Sequence, residues 1–184
     1  MKRLPDLVKT ERLVLRTWTA EDAEPLGRAI TASLDHLRPW MPWAASEPVP
    51  IEDRRALIAT WDQEWRAGKD VVLGVLLDGT IVGGCGLHQR IGDGGLEIGY
   101  WIHADFTRRG YAAEASGALT DVAFTVDGID RVEIHHDRAN VASAGVPRTL
   151  GFQFVAEKAD AVTAPGEEGI DCTWVMTRDR WPVR

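Results

Sequence analysis

The sequence predicts an α/β fold built on a sheet of mixed direction, with about seven strands and about four helices. Apolar residues alternate at 13–18 and again from Val71 onward, the signature of strands. They recur at three- and four-residue intervals around 20–30, 51–67 and 111–126, the signature of helices. The resulting order is strand, two helices, three meandering strands, helix, strand, helix, strand, strand. At 184 residues the chain has room for one sizeable core and not for two, so residues 1–184 are expected to form a single domain.

The first strand is LVLRTW, and Thr19 followed by Ala20, Glu21 and Asp22 reads as a helix N-cap with acidic first-turn residues. The helix after it should bury Ala23, Leu26 and Ile30. LRPWMPWAASEPVP then interrupts regular structure, because each proline fixes φ and removes a donor. A second helix over about 51–67 places Leu57, Ile58, Trp61 and Trp65 on one side and stops at Gly68. VVLGVLL, the turn Asp78-Gly79 and IVGGCGLHQRI form a hairpin, and GDGG leads to a third strand, LEIGYWI. ADFTRRG opens a helix carrying Ala115, Leu119, Val122 and Val126. RVEIHH, a short helix from Asn140 to Leu150-Gly151, FQFVAE and DCTWVMT complete the order.

Composition excludes several classes. With 45% hydrophobic and 27% charged residues and no biased tract, the chain reads as globular. No segment approaches the roughly 20 apolar residues of a membrane span. The N-terminal segment holds two early basic residues, Lys2 and Arg3. Pro5, Asp6, Lys9, Glu11 and Arg12 then break its apolar run, so no signal peptide is expected and the location should be cytoplasmic. A formal charge of −7 argues against nucleic acid as a partner and suits a cationic amine. Cys85 and Cys172 have no Cys or His at metal-ligand spacing, so neither zinc nor a disulfide is expected and both should be reduced strand residues.

The segment EIGYWIHADFTRRGYAAEA carries most of the chemistry. A glycine-containing loop entering a helix gathers backbone N–H groups at the positive end of the helix dipole, a ready site for an anion such as pyrophosphate. Gly110 lets the backbone approach, Ala112 leaves the first turn uncluttered, and Arg108 and Arg109 add positive charge. In isolation RRGYA is equally consistent with a plain turn flanked by solvated arginines. The GxGxxG and GxxxxGK[ST] patterns of nucleotide sites are absent.

A strand, RVEIHHDRAN, and then NVASAGVPRTLGF follow at a consistent distance. Together with TERLVLR, LRPWMPW, GLEIGYWI and RRGYAAEA, these segments resemble the GNAT superfamily of N-acetyltransferases, in its RimJ/RimL-like branch, over nearly the whole chain. The resemblance implies a mostly antiparallel sheet with a V-shaped splay between its fourth and fifth strands. It implies a pantetheine arm along the backbone of Tyr100, Trp101 and Ile102, and a pyrophosphate on Arg108, Arg109, Gly110, Tyr111, Ala112 and Ala113. Asn140 would touch the pantetheine or its neighbouring backbone. Acetyl-CoA is the implied donor, with no metal. Where the family loop carries Gln or Arg two residues before Arg109, this chain has Thr107, which leaves the backbone amides to form the cradle.

The resemblance also frames the chemistry. Many family members place a proton-donating tyrosine seven residues after the matched Asn, where this chain has Pro147. RimL-like enzymes instead use a serine in an NxxS arrangement, which assigns the hydrogen bond to the leaving sulfur to Ser143. Two residues stand as candidates for the base, Glu97 in EIGYW and His135, five residues before Asn140. His136 should face the opposite side of the strand and serve structure. Trp18, Trp61 and Trp65 fit packing positions, while Trp40, Trp43 and His88 are placed beside the acceptor. The expected reaction moves an acetyl group to a primary amine, on a protein N-terminus or a small molecule, by direct attack in a ternary complex of a monomer or homodimer. The rival reading is a CoA-binding or regulatory domain without turnover.

Overall fold

A computed structural model describes residues 4–182; Lys2 and Arg3 lie outside the described residues. The chain opens with β1 (Leu7–Lys9) and β2 (Val14–Thr17), continues through α1 (Ala23–Thr31), α2 (Leu34–Leu37) and α3 (Ile51–Arg66), and reaches β3 (Val71–Leu77), β4 (Thr80–His88) and β5 (Gly95–Ile102). Then come α4 (Tyr111–Ala123), β6 (Arg131–Asp137), α5 (Val141–Leu150), β7 (Gln153–Ala159) and β8 (Ile170–Thr177). The eight strands form one sheet in the order β1-β2-β3-β4-β5-β6-β8-β7.

Every neighbouring pair is antiparallel except β5 and β6, which run parallel and pair only at Gly95–Arg131, Leu96–Val132 and Glu97–Glu133. Beyond Glu97, β5 continues to pair with β4 as far as Ile102, while β6 continues with β8 as far as Asp137. The two strands therefore part, and among the described residues the edge of β5 that faces β6 has no ladder partner from Gly99 to Ile102. The expected splay is present between the EIGYWI and RVEIHH strands, which one additional strand at the start of the chain makes the fifth and sixth. The added strand is β1, whose three residues are too few to show a period. It is held by the buried Leu4, whose carbonyl accepts from Trp65 Nε1 at 2.8 Å.

One buried cluster lies between the sheet and α4, including Leu15, Leu73, Leu87, Leu96, Ile98, Leu119 and Ile134. The other joins α1, α2 and α3 to the sheet through Trp18, Leu26, Ile30, Leu37 and Ile58. Local chemistry explains most of the boundaries. Asp78 and Gly79 both adopt positive φ (48° and 80°), the two-residue hairpin conformation that matches strand twist. Gly151 ends α5 in the left-handed conformation at φ 78°. Both cysteines are buried free thiols on strands.

Several expectations are corrected. Thr19 heads a 3₁₀ turn, Ala20–Asp22, because Asp22 accepts from the Thr19 N–H at 2.8 Å and from both terminal nitrogens of Arg16, and α1 starts after it. The proline-rich stretch contains a 3₁₀ turn, Pro42–Ser46, after the short α2. On α3 the inward stripe is Arg54, Ile58, Trp61 and Trp65, spaced four, three and four; Leu57, about 100° away around the helix, is 39% exposed. The buried Arg54 finds its counter-charge in the equally buried Glu47 at 2.5 Å. α4 ends at Ala123, so Val126 is buried in the turn beyond it.

Candidate active site

The parted strands open onto a cavity of about 910 Å³. Tyr100, Trp101 and Ile102 line it from β5, Arg108 and Gly110 to Ala113 from the loop and start of α4, and Asn140 and Ser143 from the start of α5. Trp40 closes it from the proline-rich stretch. These are the residues assigned from sequence to the coenzyme and one of the acceptor tryptophans, brought to a single space.

The loop at the end of this cavity is shaped by backbone. Arg108 and Gly110 both have positive φ, 60° and 80°. Such a conformation costs a side-chain-bearing residue on the order of 1–2 kcal/mol, and alternating it along a loop turns successive N–H groups toward one point. In α4 the Glu114 N–H reaches the Gly110 carbonyl at 3.0 Å, so Tyr111, Ala112 and Ala113 precede the first full helical bond and their N–H groups face the loop. Gly110 provides no capping side chain to occupy them. The arrangement fits a pyrophosphate, and Ala112, Ala113, Ala142 and Gly145 leave room for its carrier.

Arg109 departs from its expected place. Its guanidinium donates to the Asp105 carbonyl at 2.9 Å and lies over the Phe106 ring at 5.1 Å, so it supports the loop from behind rather than lining the cavity. Thr107 lines the cavity but its hydroxyl donates to the Ala104 carbonyl at 3.1 Å. A second cation comes from far away in sequence. Arg12 donates to the Arg109 carbonyl at 3.0 Å, lies over the Tyr111 ring at 4.7 Å and pairs with Glu114 at 2.6 Å. Glu114 also accepts from the Arg12 N–H and the Thr10 hydroxyl, and these contacts hold its carboxyl below the usual range although burial works against them. The TERL segment is thus a brace for the phosphate loop.

The remaining candidates form a second group, outside the cavity lining. Across β4, β5, β6 and β8, register places His88 beside Glu97, Glu97 beside Glu133, and His135 beside Thr173. Every charge in this row is partnered. His88 Nδ1 meets Asp70 at 2.7 Å, and Arg90 holds Glu97 with two hydrogen bonds. His135 Nδ1 meets Asp171 at 3.0 Å and its Nε2 meets Glu133 at 2.9 Å. The bond to Asp171, seconded by Glu133 and opposed by burial, pushes the His135 pKa up to about 9. His135 is therefore an imidazolium at neutral pH, with both protons committed. His136, on the opposite face, accepts from Trp174 Nε1 at 2.9 Å through Nε2, and its Nδ1 meets the Asp137 carbonyl at 2.8 Å, a structural tautomer. Trp43 stays 40% exposed and meets Trp101 edge-on at 6.3 Å.

The cavity also shows residues that sequence reasoning missed. His36, Leu37 and Met41 line it beside Trp40. The spacings 36 to 40 and 37 to 41, about one helical turn each, are the sequence signal for this grouping, and Pro39 and Pro42 obscure it. The His36 ring has no hydrogen-bond or ionic partner among the described residues. No group of three or more His, Cys, Asp or Glu among the described residues is arranged to hold a metal ion, and no helix among them is long and apolar enough to cross a membrane.

A mixed sheet opened between parallel strands, with a loop of free N–H groups at the mouth of the opening, is the architecture of the acetyltransferases this chain matches. Residues 12–153 match the model of the acetyltransferase (GNAT) domain, and the chain belongs to that family. Among proteins of known sequence it is similar to YdaF of Bacillus subtilis (strain 168), named as a proposed ribosomal N-acetyltransferase. The two are 27% identical over 157 residues, 85% of this chain and 86% of the other. Among solved structures it is similar to RimL, a ribosomal L7/L12 α-N-protein acetyltransferase in complex with coenzyme A (TM-score 0.85, 18% identity, 95% of this chain and 99% of that one). It is equally similar in fold to MccE, a microcin C7 self-immunity acetyltransferase in complex with acetyl-CoA and AMP (TM-score 0.85, 20% identity, 95% and 98%).

Proposed function

We propose that this chain transfers an acetyl group from acetyl-CoA to a primary amine by direct attack within a ternary complex. The observation that carries the reading is the parting of β5 from β6 after Glu97, which leaves the edge of Gly99 to Ile102 facing a cavity that ends at the Arg108–Ala113 loop. The N–H groups of that loop would hold the pyrophosphate, with Arg108 adding charge, while Asn140 and Ser143 stand beside the pantetheine and thioester. Acetyl-CoA supplies the activated acyl group. The protein supplies position, which in good geometry is worth roughly 7–11 kcal/mol of barrier.

An attacking amine must shed a proton, with reference pKa values of about 7.7–8.0 for an α-amine and 10.4 for lysine. Of the two base candidates, Glu97 is favoured. A carboxylate bound by Arg90 still has lone pairs with which to accept a proton, directly or through water. His135 with both nitrogens donating has none. In place of a base, His135, together with Arg131 on Glu133, answers the charges of Glu133 and Asp171 beside Glu97. The likeness to YdaF and RimL supports a protein N-terminal amine as acceptor; the likeness to MccE keeps small amines in the test panel.

The test is incubation with acetyl-CoA and a panel of N-terminal peptides, polyamines and aminoacylated small molecules, following released thiol and product mass. One acceptor class should release thiol in step with a product heavier by one acetyl group. Coenzyme binding with no acceptor raising thiol above hydrolysis would overturn the reading in favour of a binding domain without turnover. With an acceptor in hand, Glu97→Gln should lower kcat by about 100-fold, at the lower end of general acid–base effects. An unchanged kcat removes Glu97 from the role.

A further inference from the structure

The Ser143 hydroxyl is placed unlike those of Thr60, Thr120 and Thr149, which each donate back to the carbonyl four residues earlier, a common outlet for a helical hydroxyl. Ser143 Oγ instead lies 2.8 Å from the Tyr100 hydroxyl, which reaches across the parted strands from β5. The same Tyr100 hydroxyl donates to the Ser143 backbone carbonyl at 3.2 Å.

Pro147 explains why that carbonyl is open to the tyrosine. In an α-helix the carbonyl of residue 143 would accept from the N–H of residue 147, and proline has none. The residue that replaces the family's tyrosine on α5 thus creates a vacancy on Ser143, and a tyrosine from the neighbouring strand fills it. Asn140 holds the other end of the residue, its Oδ1 accepting from the Ser143 N–H at 3.1 Å. Tyr100 and Ser143 both line the cavity.

We propose that Tyr100 is the positioning residue for Ser143: its phenolic proton, shared between the Ser143 carbonyl and Oγ, leaves the Ser143 O–H to turn into the cavity toward the leaving sulfur. This rests on the acyl-transfer reading above and adds a second residue to it. As the amine nitrogen bonds to the acyl carbon, the C–S bond breaks and its electron pair departs on sulfur. The proton lost by the amine ends on the sulfur or in solvent. Ser143 donates a hydrogen bond to the sulfur and keeps its own proton, and so does Tyr100, whose hydroxyl burial pushes up to about 12 against the opposing effect of the Ser143 bond. A group that holds its proton so firmly remains a donor across the working pH range.

The test reads the thiol of bound CoA itself, by ultraviolet titration of the thiolate on wild-type protein, Tyr100→Phe, Ser143→Ala and the double variant. Bound to wild type, CoA should ionise below the reference of about 8.5, and Ser143→Ala should raise the midpoint by roughly one pH unit. Tyr100→Phe, which keeps the ring and its packing, should raise it by a large part of that amount with CoA affinity within about twofold. Adding it to Ser143→Ala should change nothing further, because Tyr100 acts only through Ser143. A wild-type midpoint in Tyr100→Phe, or equal and additive shifts from the two substitutions, overturns the proposal. Failure of wild-type protein to bind CoA would be a different result: it removes the acyl-transfer reading and this proposal with it.

Discussion

The two sides of the opened sheet are built from different materials. On the side of the cavity proposed for the coenzyme the elements are backbone: a strand edge without a ladder partner, N–H groups at a helix start, and a loop in which Arg108 and Gly110 take positive φ. Side chains there serve mainly as supports, as with Arg109 over Phe106 and Arg12 against Glu114. On the polar row the elements are side chains, and each charge is answered by a neighbour: Asp70 with His88, Arg90 with Glu97, His135 with Glu133 and Asp171. Backbone recognition suits a ligand that is invariant, because amides read charge and shape at fixed positions. A row of mutually paired side chains can be rewritten by single substitutions, which would suit the acceptor surface proposed above.

The contrast is broken most severely by giving the phosphate loop a side chain. At position 110 a Cβ would sit in a left-handed backbone and meet Arg12 at 3.4 Å. Gly110→Val should cost about 1–2 kcal/mol in backbone strain and about 1–3 in lost amide contacts, a fall in CoA affinity of about 100-fold. Calorimetry reads it directly. Because the polar row does not depend on this loop, the pH dependence of stability should be unchanged in the variant.

That pH dependence is the second prediction. The folded His135 pKa, about 9, lies above the ordinary 6.5, so its charge stabilises the fold fully below pH 6.5, where both states are protonated. The contribution falls as pH rises from 6.5 toward 9 and is gone above it, at most about 3 kcal/mol. Denaturant melts across this window should show the decline in the wild type and flatten in His135→Asn. A wild-type stability that rises over the same window would show that the imidazolium is not held by its two carboxylates.

These two regions also differ in how far the sequence discloses them. Period and turn chemistry reveal β3 to β5, α4, β6 and α5, because alternating apolar runs and residues such as Gly79 and Gly151 dictate local conformation. β1 escapes because three residues carry no period, and α2 because its four residues, Leu34–Leu37, make barely one helical turn. The loop at 108–113 is legible since its chemistry is local: glycine, small residues and a helix start. Arg12 at that loop is not, for its contact with Glu114 spans 102 residues. Tyr100 on Ser143 is equally hidden, since it depends on two strands parting and on a hydrogen bond that Pro147 cannot make. The pairing of Glu97 with Arg90 required knowing how the 90–95 turn folds back.

Removing the brace tests whether the amide cradle is shaped from outside. Arg12→Ala leaves every loop residue in place but withdraws the donor to the Arg109 carbonyl and the stack on Tyr111. CoA affinity should fall by about tenfold, or ~1.4 kcal/mol, with Glu114→Gln intermediate. High salt should reproduce only part of the loss, because the hydrogen bond and the ring contact are not screened as an exposed charge is.

The smallest effect belongs to Trp43, and it separates the two sides most cleanly. Its ring is 40% exposed and touches the site only through the edge of Trp101, so Trp43→Ala removes about 0.5–1.5 kcal/mol of aromatic contact and leaves the cavity lining intact. Trp101 lies on the strand that borders the cavity while its ring packs with the cluster of α1 to α3. If the proline-rich stretch serves the acceptor, KM for the acetylated amine should rise about threefold to tenfold with CoA affinity unchanged. Equal loss on both measurements would mean that Trp43 holds Trp101 in place for the coenzyme, and the division between a backbone-built donor side and a side-chain-built acceptor side would then have to be redrawn at β5.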